Sequence, residues 1–332
     1  MNGSRPTFAG VKTPLLIALL ALSPALRAEV TITEQPGRIR VDINGELFTE
    51  YRHGDSPHVY YWPVIGPGGA KMTRAYPMET AEGEQTDHIH QRSFWFAHGE
   101  VNGIDFWGEP ASYKGTPKHP VGKMEHVKVV AKESGAKVGV LSTEVRWLAP
   151  DGAEPIRSIN TLRVHDTGSA NERVCDFEIT LIAGEKDVTF GDTKEGTAAL
   201  RIAESMRHKA HKGEGKGTIV NSEGDEGGKA WGKKARWVTM AGPIGEKTYA
   251  ITVMDHPSNL RHPTRWHARD YGLFAANPFS EADMDKSKPK GSGDYVLKAG
   301  EKLTLKYRVA FTEGDAKAAK PDERWKAWAE SK

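Results

Sequence analysis

Apolar and polar side chains alternate with a period of two along most of the chain. Ile39, Val41 and Ile43 are interleaved with Arg40, Asp42 and Asn44, which puts three apolar side chains on one face of an extended segment. Asn44-Gly45 then supplies the two-residue turn of a hairpin leading into Leu47, Phe48 and Thr49. The same period recurs where Phe177, Ile179 and Leu181 flank Glu178 and Thr180, and where Leu303, Leu305, Tyr307, Val309 and Phe311 alternate with Thr304, Lys306, Arg308 and Ala310. Runs at 127–132, 138–147, 156–164, 198–203, 237–241 and 249–255 read as further strands, separated by turns such as Pro150-Asp151-Gly152. Strands apolar on one side and polar on the other predict antiparallel sheets with one covered face. Their number and spacing predict an all-β chain folded as a large antiparallel β-sandwich. Only the tail has helical spacing: Pro321 suits a first turn, and Trp325, Trp328 and Ala329 share one side. A short C-terminal helix docked on the sandwich follows.

The beginning of the chain changes the expected compartment. Arg5 and Lys12 precede an apolar run from Leu15 to Leu22, and Leu26-Arg27-Ala28 ends in a small residue suited to cleavage. Residues 1–28 therefore read as a secretory signal peptide, leaving 29–332 as a single sandwich domain in a periplasmic or secreted protein. No later stretch approaches the roughly 20 apolar residues of a membrane helix. Removing the leader takes away Arg5, Lys12 and Arg27 and no acid, so the formal charge of +2 becomes slightly negative. With Lys and Arg scattered among Asp and Glu, no phosphate-tracking stripe is present, and nucleic acid is not an expected partner. Cys175 is the one cysteine and lies in an apolar alternating run, so it reads as a core residue.

Two long segments break the strand rhythm, at about 52–87 and 255–290. Long loops on a rigid scaffold often carry function. With the segments they flank they hold ten of the 13 histidines: His53, His58, His88, His90, His98, His119, His126, His256, His262 and His267. The densest stretch, Asp87 to Trp107, reads DHIHQRSFWFAHGEVNGIDFW. Its ionisable groups among aromatics would be costly to bury without a purpose. If extended, it points His88 and His90 to one side. The second cluster, DHPSNLRHPTRWHARDYGLFAANPF from Asp255 to Phe279, repeats the mixture. The two are expected to meet at one end of the sandwich in a single cleft, so that a structure with His90 and His267 on opposite faces would end the idea.

Three chemistries fit such a cleft. Histidine and carboxylate groups can act as general acid and base on a carbohydrate, histidine because its ordinary pKa lies near neutrality. In that reading His90 and His98 are the acid or base candidates, and Glu100 and Asp270 their carboxylate counterparts. Arg92 and His267 orient the substrate. Trp95, Trp107 and Trp266 offer apolar faces to sugar rings, while Asp87, His88 and Asp105 complete the polar lining. No cofactor is then required. Alternatively, His88, His90 and Glu100 bind a transition metal, as in non-haem or cupin-like oxygenases and lyases, although nine residues separate His90 from Glu100, longer than the usual cupin gap. Third, the cleft recognises a glycan without transforming it. The stretch FGDTKEG offers Asp192 and Glu195 to the same rim, or forms only a solvated turn.

The blocks YRHGDSPHVYYWPVIGPGG, DHIHQRSFWFAHGEVNGIDFW, FGDTKEG and HPTRWHARDYGLFAANPF resemble those of the exported bacterial PmoA-like proteins, over about residues 30–312. Gln91 stands where that family commonly has a histidine, in the motif HPHHRS. The name comes from a methane monooxygenase membrane subunit, which needs several spanning helices, so it does not give the activity. The resemblance implies an exported β-sandwich similar to the galactose-mutarotase superfamily, a supersandwich in which histidine and carboxylate groups act on sugars without a cofactor. The expectation is an exported carbohydrate-processing protein, a hydrolase, lyase or epimerase, with a small carbohydrate or glycan as its partner.

Overall fold

A computed structural model describes residues 1–4 and 29–331; apart from residues 1–4, the expected signal peptide lies outside the described residues. The Asn44-Gly45 hairpin forms as the sequence requires: both residues have positive φ, 55° and 81°. They join Arg38–Ile43 to Glu46–Arg52. This hairpin belongs to an eight-stranded antiparallel sheet. Its strands, in spatial order, are Val30–Gln35, Arg38–Ile43, Glu46–Arg52, Tyr60–Val64, Phe94–His98, Gly196–Arg201, Leu273–Asn277 and Arg265–Trp266.

A second eight-stranded antiparallel sheet runs Thr218–Asn221, Trp237–Ile244, Lys247–Asp255, Lys302–Glu313, Glu172–Ala183, Ile156–His165, Val138–Leu148 and Lys123–Glu133. The long alternating runs supply its centre, where Phe177, Ile179, Leu181, Leu305, Tyr307 and Val309 are all buried. Apolar faces of the two sheets meet in one contiguous core. Phe94 packs edge-on against Phe177 at 4.7 Å, Phe96 against Trp147 at 6.2 Å and Phe48 against Phe311 at 5.9 Å. This is the antiparallel sandwich predicted from the period-two pattern. Cys175 is wholly buried in it, and burial pushes its thiol pKa up, as expected of a core residue.

The helix forms at Pro321–Ala329, with Pro321 in its first turn and Asp322 and Glu323 beside the positive end of its dipole. Its tryptophans pack as predicted. Trp328 is buried, and the Trp325 indole N–H donates to the Asp255 carbonyl at 2.9 Å. No helix among the described residues is long and apolar enough to cross a membrane.

Candidate functional site

Strand alternation decides which side chains can share a site. In the first sheet, Tyr60 lies opposite Trp95, Trp95 opposite Ala199, and Ala199 opposite Ala275. Backbone hydrogen bonds between Ala275 and His267 carry the row one residue further. The intervening Phe94 and Phe96 point to the second sheet, so this row lies on the outer face of the first. Short side chains at Ala97, Ala199 and Ala275 let two loops fold closely over that face. The two His-rich segments thus meet on the face of a sheet rather than at an end of the sandwich.

The first loop is a tight turn, not an extended segment. The Gln91 N–H donates to the His88 carbonyl at 2.9 Å, and His88 and Ser93 adopt positive φ of 46° and 61°. Such conformations are strained for non-glycine residues and concentrate at functional sites. The turn still brings His88 and His90 together, with ring centroids 5.8 Å apart. His88 is exposed, stacks on Tyr271 at 5.2 Å and lies with Nδ1 2.7 Å from Asp87 Oδ2. His90 Nδ1 is 2.9 Å from Ser112 Oγ, which leaves Nε2 for a ligand. Behind His90 stand Trp107 and Trp95, 5.2 Å apart. Both are buried, so they wall the recess instead of offering open stacking faces, and neither indole N–H has a protein partner.

His267 lies at the base. It is 2 % exposed, neither ring nitrogen has a hydrogen-bond partner among the described residues, and Nδ1 lies 4.0 Å from Glu195 Oε2. Glu195 remains partly open to solvent and pairs closely with Lys194. Burial raises its carboxyl pKa, but the neighbouring His267 and Lys194 outweigh that and leave it below the usual range. Burial lowers the His267 pKa; the Glu195 charge opposes this and Arg269 reinforces it, for a value of about 4. Burial and the nearby His88 take His90 down to about 3. At neutral pH two uncharged imidazoles therefore flank an ionised carboxylate. On another side, His58 is buried with Nδ1 3.7 Å from Glu109 Oε1 and both ring nitrogens unpartnered. Arg92 grips Glu109 in a bidentate pair at 2.6 and 2.9 Å, so it supports the wall and is not free to bind substrate. Burial raises the Glu109 pKa, but His58 and Arg92 more than offset this and hold it down to about 2.

Under the turn sits a buried charge cluster. Asp87 Oδ1 accepts from Arg74 at 2.6 Å and from Arg201 at 3.1 Å, and both arginines are completely buried. Arg201 also donates to Gln91 Oε1 at 2.5 Å and lies 4.6 Å beneath the Tyr271 ring. Asp87 thus anchors the turn from below. Gln91 accepts from Arg201 through Oε1, and its amide N–H lies 3.5 Å from the Tyr271 hydroxyl.

Other residues suggested by the sequence are placed elsewhere. His98 has the phase of Phe94 and Phe96, so it faces inward: it is fully buried against Phe190 and Phe279, and Nε2 lies 2.9 Å from the Gly191 carbonyl. Trp266, one residue out of phase with His267, is core, its indole donating to the Ala235 carbonyl at 2.8 Å. Glu100 faces His119 at 3.3 Å, so His88, His90 and Glu100 do not converge. Among the described residues no three His, Cys, Asp or Glu side chains are grouped to hold an ion. Asp105 holds its own loop, accepting from the Trp107 and Gly108 N–H groups and the Tyr113 hydroxyl. Asp270 sits in the Arg269–Gly272 turn, where its carbonyl accepts the Lys209 N–H. Its carboxylate makes no hydrogen bond or ion pair with the recess histidines. From the second segment, His256 and His262 pack on Trp328 and Trp325 of the helix.

Glu195, offered to the rim by FGDTKEG, lies beside His267, while Tyr271, His58, Glu109, Ser112 and Arg201 complete the site and were given no role from sequence. Arg201 carried a signal: a lone cation inside the apolar run AALRIA needs a buried partner. In FGDTKEG the two carboxylates separate by role, and Asp192 is the structural one. It accepts the N–H groups of Glu281, Ala282, Asp283 and Gly293 at 2.8–3.2 Å. Asp192→Ala is expected to destabilise the protein by about 2–4 kcal/mol through loss of these charge-assisted bonds, measured by denaturant melting. An unchanged midpoint would contradict that role. A groove of about 780 Å³ lies beside the helix, bordered by His208, Trp237 and Pro321. It contains no comparable set of buried, unpartnered titratable groups.

The pattern of a family described as "family of unknown function (DUF6807)" matches residues 38–326. No curated protein matches the sequence. Among solved structures the chain is similar to the galactosidase domain of the alpha-galactosidase-sucrose kinase AgaSK, at TM-score 0.46 and 8% identity. That match covers 86% of this chain and 42% of the other, so the chain spans less than half of that protein. It is also similar to a galactose mutarotase related enzyme from Lactobacillus acidophilus, at TM-score 0.34 and 9% identity, over 86% of this chain and 97% of the other. A third similarity is to a glycoside hydrolase family 97 enzyme in complex with acarbose from Pseudoalteromonas sp. strain K8, at TM-score 0.32 and 11% identity, over 88% of this chain and 35% of the other.

Proposed function

The chain belongs to the DUF6807 family, whose function is unknown, and from that starting point we propose an exported carbohydrate-processing protein that moves protons with His267, Glu195 and His90. The same proposal includes the signal peptide, export and kinship with the PmoA-like proteins. The observation that carries it is His267, buried with both ring nitrogens unpartnered and 4.0 Å from Glu195. Each unsatisfied buried polar atom costs about 1–3 kcal/mol, and hydroxyl groups of a sugar would remove that penalty. An uncharged imidazole beside an ionised carboxylate accepts a proton from a hydroxyl or activated C–H. His90, close enough to feel the Glu195 charge and with Nε2 free, hands a proton on or orients the neighbouring hydroxyl. The walls of Trp95 and Trp107 exclude water from behind, which strengthens these polar contacts.

The test is product analysis by NMR after incubation with a panel of mono- and oligosaccharides over a range of pH. Conversion of a saccharide is expected throughout the neutral range. It is expected to fall as pH drops to about 4, where His267 takes up a proton and ceases to be a base. Binding of a saccharide with no conversion at any pH would overturn the acid–base reading in favour of recognition alone.

A further inference from the structure

Two groups of cations near the His267 site each include members that have no acid to pair with among the described residues. Arg269 lies on the outer face of the first sheet, two residues beyond His267 and therefore on the same side. Its guanidinium stands 5.2 Å over the Tyr271 ring and makes no ion pair or side-chain hydrogen bond among the described residues. The second set lines a recess of about 340 Å³, where Lys118, Lys286, Lys288 and Lys290 gather against Asp192 and Asp283. Its acids are already committed. Asp192 is tied to four backbone N–H groups. Asp283 is held by Lys286 at 2.9 Å and by the Lys194 N–H at 2.8 Å. The other acids of that segment, Glu281 and Asp285, both bind Arg265. Lys288 and Lys290 are exposed and, among the described residues, unpaired.

The two places are continuous. Thr193 lines the lysine recess, and Glu195, two residues on, faces His267. Lys194 between them bonds to Asp283 through its backbone and to Glu195 through its side chain. Resting on the carbohydrate reading of the site, we infer that the ligand is an acidic oligosaccharide. One anionic group of it meets Arg269 at the His267 and Glu195 recess, and the chain runs over Thr193–Glu195 to Lys288 and Lys290. Arginine suits planar recognition of a carboxylate or sulfate. Lysines around a recess focus a positive field that draws in the rest of a polyanion. A neutral glycan would leave all three cations unused.

Calorimetry on the full protein decides the matter, with tetragalacturonate, a sulfated tetrasaccharide and an uncharged galactotetraose as probes. At least one acidic probe is expected to bind ten-fold or more tighter than the uncharged one and to weaken with added salt. Which of the two binds identifies carboxylate or sulfate as the recognised group. Arg269→Gln and the double variant Lys288→Ser/Lys290→Ser should each weaken that binding at least five-fold. Equal affinity for acidic and uncharged probes, or acidic-probe affinity unchanged in both variants, would overturn the inference while leaving the carbohydrate reading intact. Failure of every probe to bind would remove both.

Discussion

Asp87→Asn is expected to lower the stability of the protein by about 3–5 kcal/mol, because it leaves two buried cations without their anion. Arg74 and Arg201 are both completely buried, and Asp87 Oδ1 is the carboxylate oxygen they share. The amide oxygen can accept both of these hydrogen bonds but carries no charge. For a chain of this size the loss corresponds to a fall in Tm of roughly 5–10 °C, and an unchanged Tm would show that the arginines are compensated elsewhere. The pH dependence has a definite sign. Burial raises the Asp87 pKa, but His88, Arg201 and Arg74 outweigh it and hold the pKa far below the ordinary carboxylate range. Its contribution is therefore fully present above the unfolded value near 4 and is lost only as pH falls through the folded value. The buried imidazoles act at milder acidity. His90 at about 3, His98 at about 4 and His267 at about 4 all lie below the unfolded value near 6.5. Between pH of about 6.5 and 4 the unfolded chain binds protons that the folded chain excludes, so stability falls across that window. Asp87→Asn should lower Tm throughout the neutral range without changing that slope.

Glu195→Gln is expected to reduce turnover of the true substrate by about 10²–10⁴-fold, the range for loss of a positioned proton-transfer group. Glu195 is partly exposed on a loop, so the fold should survive. The substitution also carries a signature that simple loosening of the site would not give. Burial lowers the His267 pKa and the Glu195 charge opposes that lowering. Removing the charge should therefore shift the acid limb of any residual activity to lower pH. His267→Ala should abolish that limb together with turnover. Activity unchanged in both variants would exclude them from the chemistry.

The phase of the strands explains what was legible in the sequence. The alternating runs, the Asn44-Gly45 hairpin and the Trp-bearing helix are local patterns, and the fold follows them. The densest His-rich stretch also marked one half of the site. Within it, however, function depends on phase. In Phe94–His98 the order is inward, outward, inward, outward, inward, which sends Trp95 to the recess and His98 to the core. The same parity separates His267 from Trp266. The remaining parts come from contacts distant in sequence, such as Glu195 beside His267, or His58 over Glu109. Carboxylates suggested by proximity in sequence, Glu100 and Asp270, are drawn away by His119 and by a tight turn. Only the register of four neighbouring strands brings the right groups together, and composition does not encode that register.

A crystal structure of the protein soaked with an oligosaccharide that it binds tests the central claim most directly. The account predicts a sugar ring in the recess on the first sheet, with hydroxyl groups within hydrogen-bond distance of His267, Glu195 and His90 Nε2. A sugar bound only in the groove beside the C-terminal helix, with the His267 ring nitrogens still unpartnered, would contradict it.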